Sequence, residues 1–456
     1  MRNTLTDPKR MKIAATTLLA LAAGYAVSGI GFDGLSEAGS LTLGIFITAM
    51  ILWVAEPFPL YVTSFVIVIL EVVLLGRPGG PLGMSGSEYS SFLEPFFSSV
   101  VVLLLGGFVM AQAVKKYGLD EWISGKVLGR AGKRPGTVLL AMMGMSAFFS
   151  MWISNTATTA LMMAVALPVA AALPGEEPFR KALILGIPFA ANIGGIGTPI
   201  GSPPNAIAIG FLAQAGIDVS FLGWMVIGLP VVAVMTLVCW AVLFRLYRPR
   251  VGEVSLGIEK HGESLDGKQK FILLVFLAVV VLWLTSGLHG IPSAIVALLP
   301  LVVLFGAGLL EEEDLRELGW GILFIVGGGM SLGVAMSRSG LSEWIVSLVP
   351  FQSMPPIWIL LVFAVTAAIM TTFISNSATA NLLLPIVVGI TAISPQPAAF
   401  VVALTSSAAM ILPVSTPPNA IAYGSGRIRI GDMAGPGSAV TLIAIILITL
   451  FVYAIF

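Results

Sequence analysis

The chain has 456 residues, of which 57% are hydrophobic and 10% charged, and 23 Lys and Arg balance 23 Asp and Glu. Soluble domains carry about 25% charged residues, so this composition excludes a water-soluble fold and indicates an integral membrane protein. The balanced charge argues against nucleic acid as a partner, because no basic domain is present to neutralise phosphates. The single cysteine, Cys239, excludes an internal disulfide and a thiolate metal cluster, and we interpret it as a small buried hydrophobic residue.

Apolar segments long enough to cross the bilayer, about 20 residues each, recur along the whole chain. The first follows a basic lead, and we interpret it as a transmembrane helix that is kept rather than as a cleaved signal peptide. The predicted spans are about 13–31, 39–56, 60–76, 97–114, 182–213, 221–245, 270–288, 292–310, 320–336, 397–424 and 436–456. Two longer apolar stretches, 136–173 and 354–394, have a polar tripeptide near the middle and predict re-entrant hairpins. The predicted fold is an all-α polytopic membrane protein with about 11 transmembrane helices plus two hairpins.

Basic residues indicate the orientation, because Lys and Arg prefer the cytoplasmic side. With both long stretches as hairpins, 21 of the 23 basic residues fall on one side, and only Arg77 and Arg338 fall on the other. We therefore expect a multi-pass protein of the inner (plasma) membrane with a cytoplasmic N-terminus and an external C-terminus. A re-entrant hairpin and a pair of complete spans both return the chain to the same side, so the charge distribution does not separate them. The central tripeptides favour the hairpin.

The sequence contains an internal repeat. Residues 106–123 align without gaps on 328–345, the 154–158 segment SNTAT matches SNSAT at 375–379, and PPNAIA recurs at 203–208 and 417–422. Each copy holds five spans and one hairpin, an odd number of crossings, so the second copy is inverted relative to the first. Inverted repeats with helices broken at matching positions are typical of secondary transporters, whose binding site lies at the repeat interface.

The motifs at the matching positions predict helix ends inside the membrane. Ser, Asn and Thr are N-cap residues, so both tripeptides predict the start of a returning hairpin arm. The segments 194–210 and 411–424 interrupt apolar spans, and Pro suits the first turn of a helix, so each span stops and restarts at Pro-Pro-Asn. Four positive helix N-termini would converge on a site for an anion of more than one charge, without a basic side chain in the motifs.

Two hydroxyls extend the pattern toward a cation. Ser150 and Thr371 lie four residues before Ser154 and Ser375, one helical turn away. Together with the carbonyls freed at each break, these hydroxyls predict two symmetric nests for a hard monovalent cation. The acids nearest to membrane depth are Glu56 and Glu71, which could relay protons, but their positions near span ends favour an interfacial structural role.

With these motifs in register, the sequence resembles the divalent anion/sodium symporter family, carriers of citrate, C4-dicarboxylates and sulfate. The resemblance covers essentially the whole chain and implies a homodimer that works by an elevator movement. It implies a scaffold part of about 1–134 and 246–353, and a transport part of about 135–245 and 354–456, which holds both hairpins and both broken helices.

The resemblance also implies the site residues. The first family sodium site falls on Ser150, Ser154, Asn155 and the Gly201 carbonyl, and the second on Thr371, Ser375, Asn376 and the Ser415 carbonyl. The residues that would meet the substrate carboxylates are Asn155, Thr156, Ser202, Pro203, Asn376, Ser377, Thr416 and Pro417. Ser377 stands where Thr is usual in the family, so the position keeps its hydroxyl and loses a methyl group.

The leading prediction is a sodium-coupled importer of a small di- or tricarboxylate, with a C4-dicarboxylate such as succinate favoured. A sodium-independent dicarboxylate exchanger and a sulfate/sodium symporter remain alternatives. An intramembrane enzyme is not supported, because no Ser/His/Asp set and no metal-ligand pair lies at membrane depth. A sodium/proton antiporter would need an intramembrane Asp beside the breaks, which is absent from the sequence there. The expected partners are a dianionic carboxylate, sodium as coupling ion, lipid and a second copy of the chain, without any other cofactor.

Overall fold

The computed structural model describes residues 8–254, 264–390 and 392–456, and over these ranges the chain is helical with no strand. The helices of the first half are α1 Pro8–Ser28, α2 Glu37–Ala55, α3 Leu60–Leu70, α4 Ser99–Lys116, α5 Leu119–Leu128, α6 Pro135–Ser150, α7 Asn155–Ala172, α8 Phe179–Gly194, α9 Pro203–Gln214 and α10 Phe221–Leu246. Those of the second half are α11 Gly267–Leu284, α12 Ser286–His289, α13 Ser293–Val296, α14 Leu299–Gly306, α15 Glu312–Arg316, α16 Trp320–Arg338, α17 Leu341–Ser347, α18 Pro356–Phe373, α19 Asn376–Val388, α20 Pro395–Ser407, α21 Pro417–Gly424 and α22 Ile430–Ile455. A π-helical turn, Glu71–Leu75, continues α3. Short 3-10 turns cover Glu88–Phe92, Glu94–Phe97, Gly195–Gly197, Phe351–Ser353 and Pro413–Ser415.

Ten helical segments in the described residues are long and apolar enough to cross a membrane, which confirms a multi-pass helical membrane protein. Several predicted spans are divided rather than continuous. The predicted span 292–310 becomes α13 and α14, because Pro292 precedes α13 and Pro300 lies in the first turn of α14. The span 397–424 is divided into α20 and α21 around an irregular stretch, as its proline motif predicts.

The two hairpin stretches break at their tripeptides. The helix α6 ends at Ser150 and α7 begins at Asn155, whereas α18 ends at Phe373 and α19 begins at Asn376. In both returning arms the N-cap serine, Ser154 or Ser375, accepts a hydrogen bond from a backbone N–H three residues on. This capping explains why the chain restarts a helix at these positions.

Packing joins the parts of the two repeats. The segments α6–α10 and α18–α22 contact one another extensively, through α9 with α19 and α20, α21 with α7 and α8, and α10 with α22. The helix α16 packs against α3 and also against α9 and α19. Cys239 is fully buried in α10, which agrees with its interpretation as a small buried hydrophobic residue.

The two acids at membrane depth occupy different environments. Glu71 is 0% exposed, at the start of the π-helical turn, so burial inside the protein replaces the interfacial position that the sequence favoured. Glu56 caps the end of α2 with a left-handed backbone, φ 43° and ψ 50°. It is the one non-glycine residue with positive φ in the described part of the chain.

Candidate functional site

A cavity of about 800 Å³ lies where both hairpin tips and both helix breaks meet. All eight residues predicted to contact substrate line it, namely Asn155, Thr156, Ser202, Pro203, Asn376, Ser377, Thr416 and Pro417. Ser154, Gly201, Ser375 and Ser415 from the predicted sodium sites line it as well. Residues separated by more than 200 positions in the sequence are thus brought to one place. That they bind substrate and sodium stays a prediction.

The hairpin arms α7 and α19 begin at this cavity. Ser154 Oγ accepts from the Ala157 N–H at 3.2 Å and Ser375 Oγ accepts from the Ala378 N–H at 3.1 Å. Each cap satisfies one of the four free N–H groups that start a helix, and the other N–H groups of the first turn stay available to a ligand. A helix N-terminus also carries a partial positive charge that favours anions.

The two broken helices restart at the cavity in the same way. The residues before the prolines, Ser202 and Thr416, are extended, with φ −146° and −147°. The asparagine of each Pro-Pro-Asn motif then fixes the loop before it. Asn205 Nδ2 donates to the carbonyl oxygens of Gly195 and Thr198 at 2.7 and 2.8 Å. Asn419 Nδ2 donates to the Leu412 carbonyl at 3.1 Å.

Three members of the first predicted sodium set, Ser150, Asn155 and Gly201, place oxygen atoms close together at the cavity wall. Ser150 Oγ donates to Asn155 Oδ1 at 2.6 Å, and Ser150 is 0% exposed. A Cβ atom added to Gly195 would lie 2.5 Å from Asn155 Oδ1 and 3.0 Å from the Gly201 carbonyl oxygen. Two of the predicted ligands therefore converge on a space that only glycine leaves open. Hydroxyl, amide and backbone oxygens are the donors that hard cations prefer, so the residues fit sodium.

The second predicted set repeats this arrangement with one difference. Thr371 Oγ1 lies 2.7 Å from Asn376 Oδ1, as Ser150 does from Asn155 in the first set, but it also lies 2.9 Å from the Ser406 carbonyl oxygen. Ser415 Oγ donates to the Thr372 carbonyl at 3.0 Å, which places the 3-10 turn before Pro417 against the end of α18. A hard cation would again meet only neutral oxygen atoms here.

Two polar contacts between the repeats were not predicted. Asn192 of α8 is 0% exposed and donates from Nδ2 to Thr416 Oγ1 at 3.1 Å and to Asn419 Oδ1 at 3.2 Å. Ser202 Oγ and Ser407 Oγ lie 3.0 Å apart. Asparagine in the apolar α8 segment is a signal that could have identified Asn192, because polar residues at membrane depth are costly and commonly functional.

Glu56 is the one charged side chain that lines the cavity within the described part of the chain. It follows the end of α2, far in the sequence from the hairpin and break motifs, and its side chain is exposed. A carboxylate would repel an anion in the same space. The basic residues that hold ion pairs lie elsewhere, for example Lys181 with Asp432 at 2.7 Å and Lys116 with Asp314 at 2.5 Å.

Asp314, outside the spans, forms an ion pair with Lys116. Burial raises the pKa of its carboxyl, but the hydrogen bond from Lys116 and the backbone N–H of Glu311 outweigh it, so the pKa is lowered overall. This ion pair joins α4 to the short helix α15 and is away from the cavity lining. Among the described residues, no cluster of three or more His, Cys, Asp or Glu side chains forms a transition-metal site.

A cavity lined by the ends of interrupted helices, in a chain with ten described apolar spans, is typical of membrane transport proteins. Residues 18–455 match the family described as the sodium:sulfate symporter transmembrane region. The chain therefore belongs to this family, which is the divalent anion/sodium symporter family, and it is a transport protein and not an enzyme.

Similar proteins come from fungi and bacteria. An uncharacterized transporter of Schizosaccharomyces pombe is 33% identical over 90% of this chain, which spans 49% of the yeast protein. The sodium-dependent dicarboxylate transporter SdcS of Staphylococcus saprophyticus is 30% identical over 92% of this chain and 87% of its own length. Its counterpart in Staphylococcus aureus USA300 is 30% identical over 90% and 85%.

Among solved structures, the YdaH transporter of Alcanivorax borkumensis is similar with a TM-score of 0.56. The match covers 86% of this chain and 97% of that one at 14% identity, so it supports the fold alone.

Proposed function

We propose that this protein is a sodium-coupled importer of a small di- or tricarboxylate, with C4-dicarboxylates such as succinate favoured. The observation that carries the proposal is one cavity of about 800 Å³ that joins both hairpin tips and both Pro-Pro-Asn breaks, with no basic side chain among the described residues that line it. Helix N-termini and neutral hydrogen-bond donors suit a carboxylate at each end of a short dianion. The names of the staphylococcal relatives, which are sodium-dependent dicarboxylate transporters, support the same substrate class.

The two tip asparagines give a physical route for coupling. Each Oδ1 atom is turned toward a hydroxyl of the predicted sodium set, Ser150 or Thr371. An amide has one oxygen acceptor and two N–H donors, so the oxygen can serve the cation while the N–H groups serve the anion. Sodium on the oxygen side would fix the asparagine and present its donors, which orders the anion site only when the cation is bound.

Transport would follow from movement of α6–α10 and α18–α22 as a unit past the scaffold helices, in a homodimer in the plasma membrane with a cytoplasmic N-terminus. The cavity lining supports this division, since it combines the tips and breaks with Val54, Leu60, Leu104 and Ile322, which belong to the proposed scaffold part. A site that lies between the two parts can be exposed to either side of the membrane when one part moves relative to the other.

Uptake into proteoliposomes tests the coupling. We expect radiolabelled succinate to accumulate when sodium is higher outside, and citrate and sulfate to be taken up more slowly. Uptake that persists without any sodium gradient would contradict symport, and strict dependence on preloaded unlabelled substrate would indicate the exchanger instead. Faster uptake of sulfate than of succinate would identify a sulfate symporter.

Substitution at one hairpin tip tests the site. Ser375→Ala with Asn376→Ala removes a helix cap, a predicted sodium ligand and a cavity donor. Hydrogen bonds to charged groups contribute about 1.5–3 kcal/mol each, so we expect uptake to fall at least about 10-fold per lost contact. Ser353→Ala, at an exposed serine beyond the cavity, is the matched control. Wild-type uptake by the double variant would place the site elsewhere.

A further inference from the structure

Glu71 is a carboxyl group sealed inside the scaffold helices, apart from the substrate cavity. It is 0% exposed, starts the π-helical turn after α3, and is absent from the cavity lining. The cavity wall includes Leu60, at the other end of α3. With a rise of 1.5 Å per residue, Glu71 lies about 16 Å further along the helix. The motifs that predict the transport site therefore give this carboxyl no role.

The hydroxyl of Ser331 lies next to two oxygen atoms that could accept a hydrogen bond, but it has only one proton to donate. Ser331 Oγ lies 2.5 Å from Glu71 Oε2 and 2.8 Å from the carbonyl oxygen of Phe92. A serine hydroxyl donates one hydrogen bond and can accept others, whereas a backbone carbonyl only accepts. If Ser331 donates to Phe92, its contact with Glu71 needs a proton on the carboxyl.

We propose that Glu71 is a buried proton-binding site. In its protonated form, Glu71 Oε2–H donates to Ser331 Oγ, and the Ser331 hydroxyl donates to the Phe92 carbonyl. Each of the three hydrogen-bonding groups in this series, Glu71 Oε2–H, the Ser331 hydroxyl and the Phe92 carbonyl, then has a matching partner. The transferable group is one proton, and no other bond is made or broken. The proposal does not rest on the sodium-coupled function proposed above.

Burial supports the neutral form. An ionised carboxylate in an apolar interior is stable only when it is paired with a cation and hydrogen-bonded. Within the described residues, Glu71 has no ion pair, and its second oxygen, Oε1, is buried without a hydrogen-bond partner. A protonated carboxyl leaves only a neutral acceptor there, whereas ionisation would leave a charge.

The elements around Glu71 supply no compensating charge that bonds to it. It belongs to a turn that packs against α2, α3, α16 and the 3-10 turn at Glu88–Phe92. The ionisable groups on these elements or within two residues of them are Glu37, Glu56, Tyr61, Arg77, Glu88, Tyr89, Glu94 and Arg338. The hydrogen bonds and ion pairs of the described residues connect none of these groups to Glu71. The two bases among them are both exposed: Arg77 lies six residues after Glu71, and Arg338 lies at the end of α16, seven residues beyond Ser331.

The bound proton links the end of α3 to α16, and α16 is also the helix on which α9 and α19 pack. Loss of the proton would put an unpaired charge in this contact, so the native packing is favoured at low pH and weakens as pH rises. We therefore expect transport to decline at alkaline pH because the α3–α16 contact loosens. Gln at position 71 can donate to Ser331 but cannot ionise, so it should remove that part of the decline.

Infrared spectroscopy of the purified full-length protein tests protonation directly. We expect a carboxylic acid C=O band at neutral pH in the difference between wild type and Glu71→Gln, with a shift in deuterium oxide. A carboxylate signal in place of the acid band would overturn the proposal. A band that is present in potassium chloride and is replaced by a carboxylate signal in sodium chloride would make sodium the native occupant and would overturn it too.

The pH profile of uptake separates a proton site from simple packing. Glu71→Gln should transport like wild type at neutral pH and lose less activity at alkaline pH, whereas Glu71→Ala should be impaired at every pH. Identical alkaline declines in wild type and Glu71→Gln would contradict the proposal. Because the infrared test needs no transport, failure of the sodium-coupled function would not be confused with failure of this site.

Discussion

Four asparagines fix the backbone of the site, and they do so in two ways. Asn205 and Asn419 donate to carbonyls of the interrupted segments before them, so each break has a defined shape rather than a loose loop. Asn155 and Asn376 instead accept from a hydroxyl one turn earlier in the hairpin. Repetition of the same residue types in the two halves made these positions predictable from the sequence.

Other residues of the site could not be predicted, because their partners lie in the opposite half of the chain. The position of Asn192 between Thr416 and Asn419 depends on how α8 packs against α21. Outside the site, the same holds for Glu71, whose hydrogen-bond partner Ser331 lies 260 residues later in the sequence. A sequence pattern shows that such a residue is polar in an apolar segment, but its partner is determined only by packing.

Substitution of Glu56 should change the charge selectivity of the cavity. Two unit charges about 8 Å apart interact by roughly 0.5–2 kcal/mol, depending on the local dielectric. Glu56→Gln removes the one charge on the described cavity lining, and it should favour a trianion over a dianion more than the wild type does. We expect the ratio of citrate to succinate apparent affinity to rise about 2- to 30-fold at alkaline pH, measured by competition for succinate uptake.

Two further variants at this position control for backbone effects. Glu56→Gly relaxes the left-handed backbone, which glycine adopts without strain, and also removes the charge. Glu56→Asp keeps the charge. If charge is the cause, Gln and Gly should change the ratio alike and Asp should preserve it. A ratio that changes with Gly alone, or with none of the three, would contradict the electrostatic role.

The helical elements divide into interruptions that the sequence predicts and one that it does not. Proline and glycine identified the breaks before α9 and α21, because a proline there starts a helix and cannot continue one. The π-helical turn at Glu71–Leu75 has no such residue, so the pattern predicts a regular span. Its widened turn coincides with the buried carboxyl, in keeping with the occurrence of π-bulges at functional positions.

The contact between α16 and α19 depends on a glycine. A Cβ atom added to Gly329 would lie 1.8 Å from Asn381 Oδ1, and Asn381 Nδ2 donates to the Ile325 carbonyl of the same helix at 3.1 Å. Gly329→Ala would therefore force α19, a hairpin arm, away from α16. We expect a loss of uptake of at least about 5-fold, since overpacking typically costs about 1–3 kcal/mol.

Gly144→Ala is the matched control, because Gly144 also lies inside a helix, α6, and an added Cβ there meets no atom within 4 Å. Both variants should reach the membrane in similar amounts on quantitative blots. Uptake reduced equally by the two substitutions would indicate a general intolerance of the helices rather than a specific contact with α19.

At the scale of the whole molecule, the internal repeat predicted that residues far apart in the sequence would meet. The cavity brings both tips and both breaks together, as the repeat predicted. The relative placement of α16 against α3, α9 and α19 was beyond prediction, because it depends on the shapes of side chains such as Phe211 and Met330 that fill the space beside Gly333 and Gly210. The same contacts bear on whether one part of the molecule moves past the other.

A reversible cross-link across α16 and α19 tests that movement. Ile325→Cys and Asn381→Cys introduce thiols at a contact between the proposed scaffold and transport parts. The background is Cys239→Ala, which removes the one native cysteine. If the parts must slide, a short thiol cross-linker should abolish succinate uptake, and a reducible version should allow recovery when it is cleaved.

The comparison is made within one protein before and after reduction, so the lost Asn381 hydrogen bond affects both states equally. Each single-cysteine variant should be insensitive to the reagent. The extent of cross-linking is read from a gel shift after the chain is cleaved between the two thiols. Full uptake by completely cross-linked protein would mean that α16 and α19 stay together throughout transport.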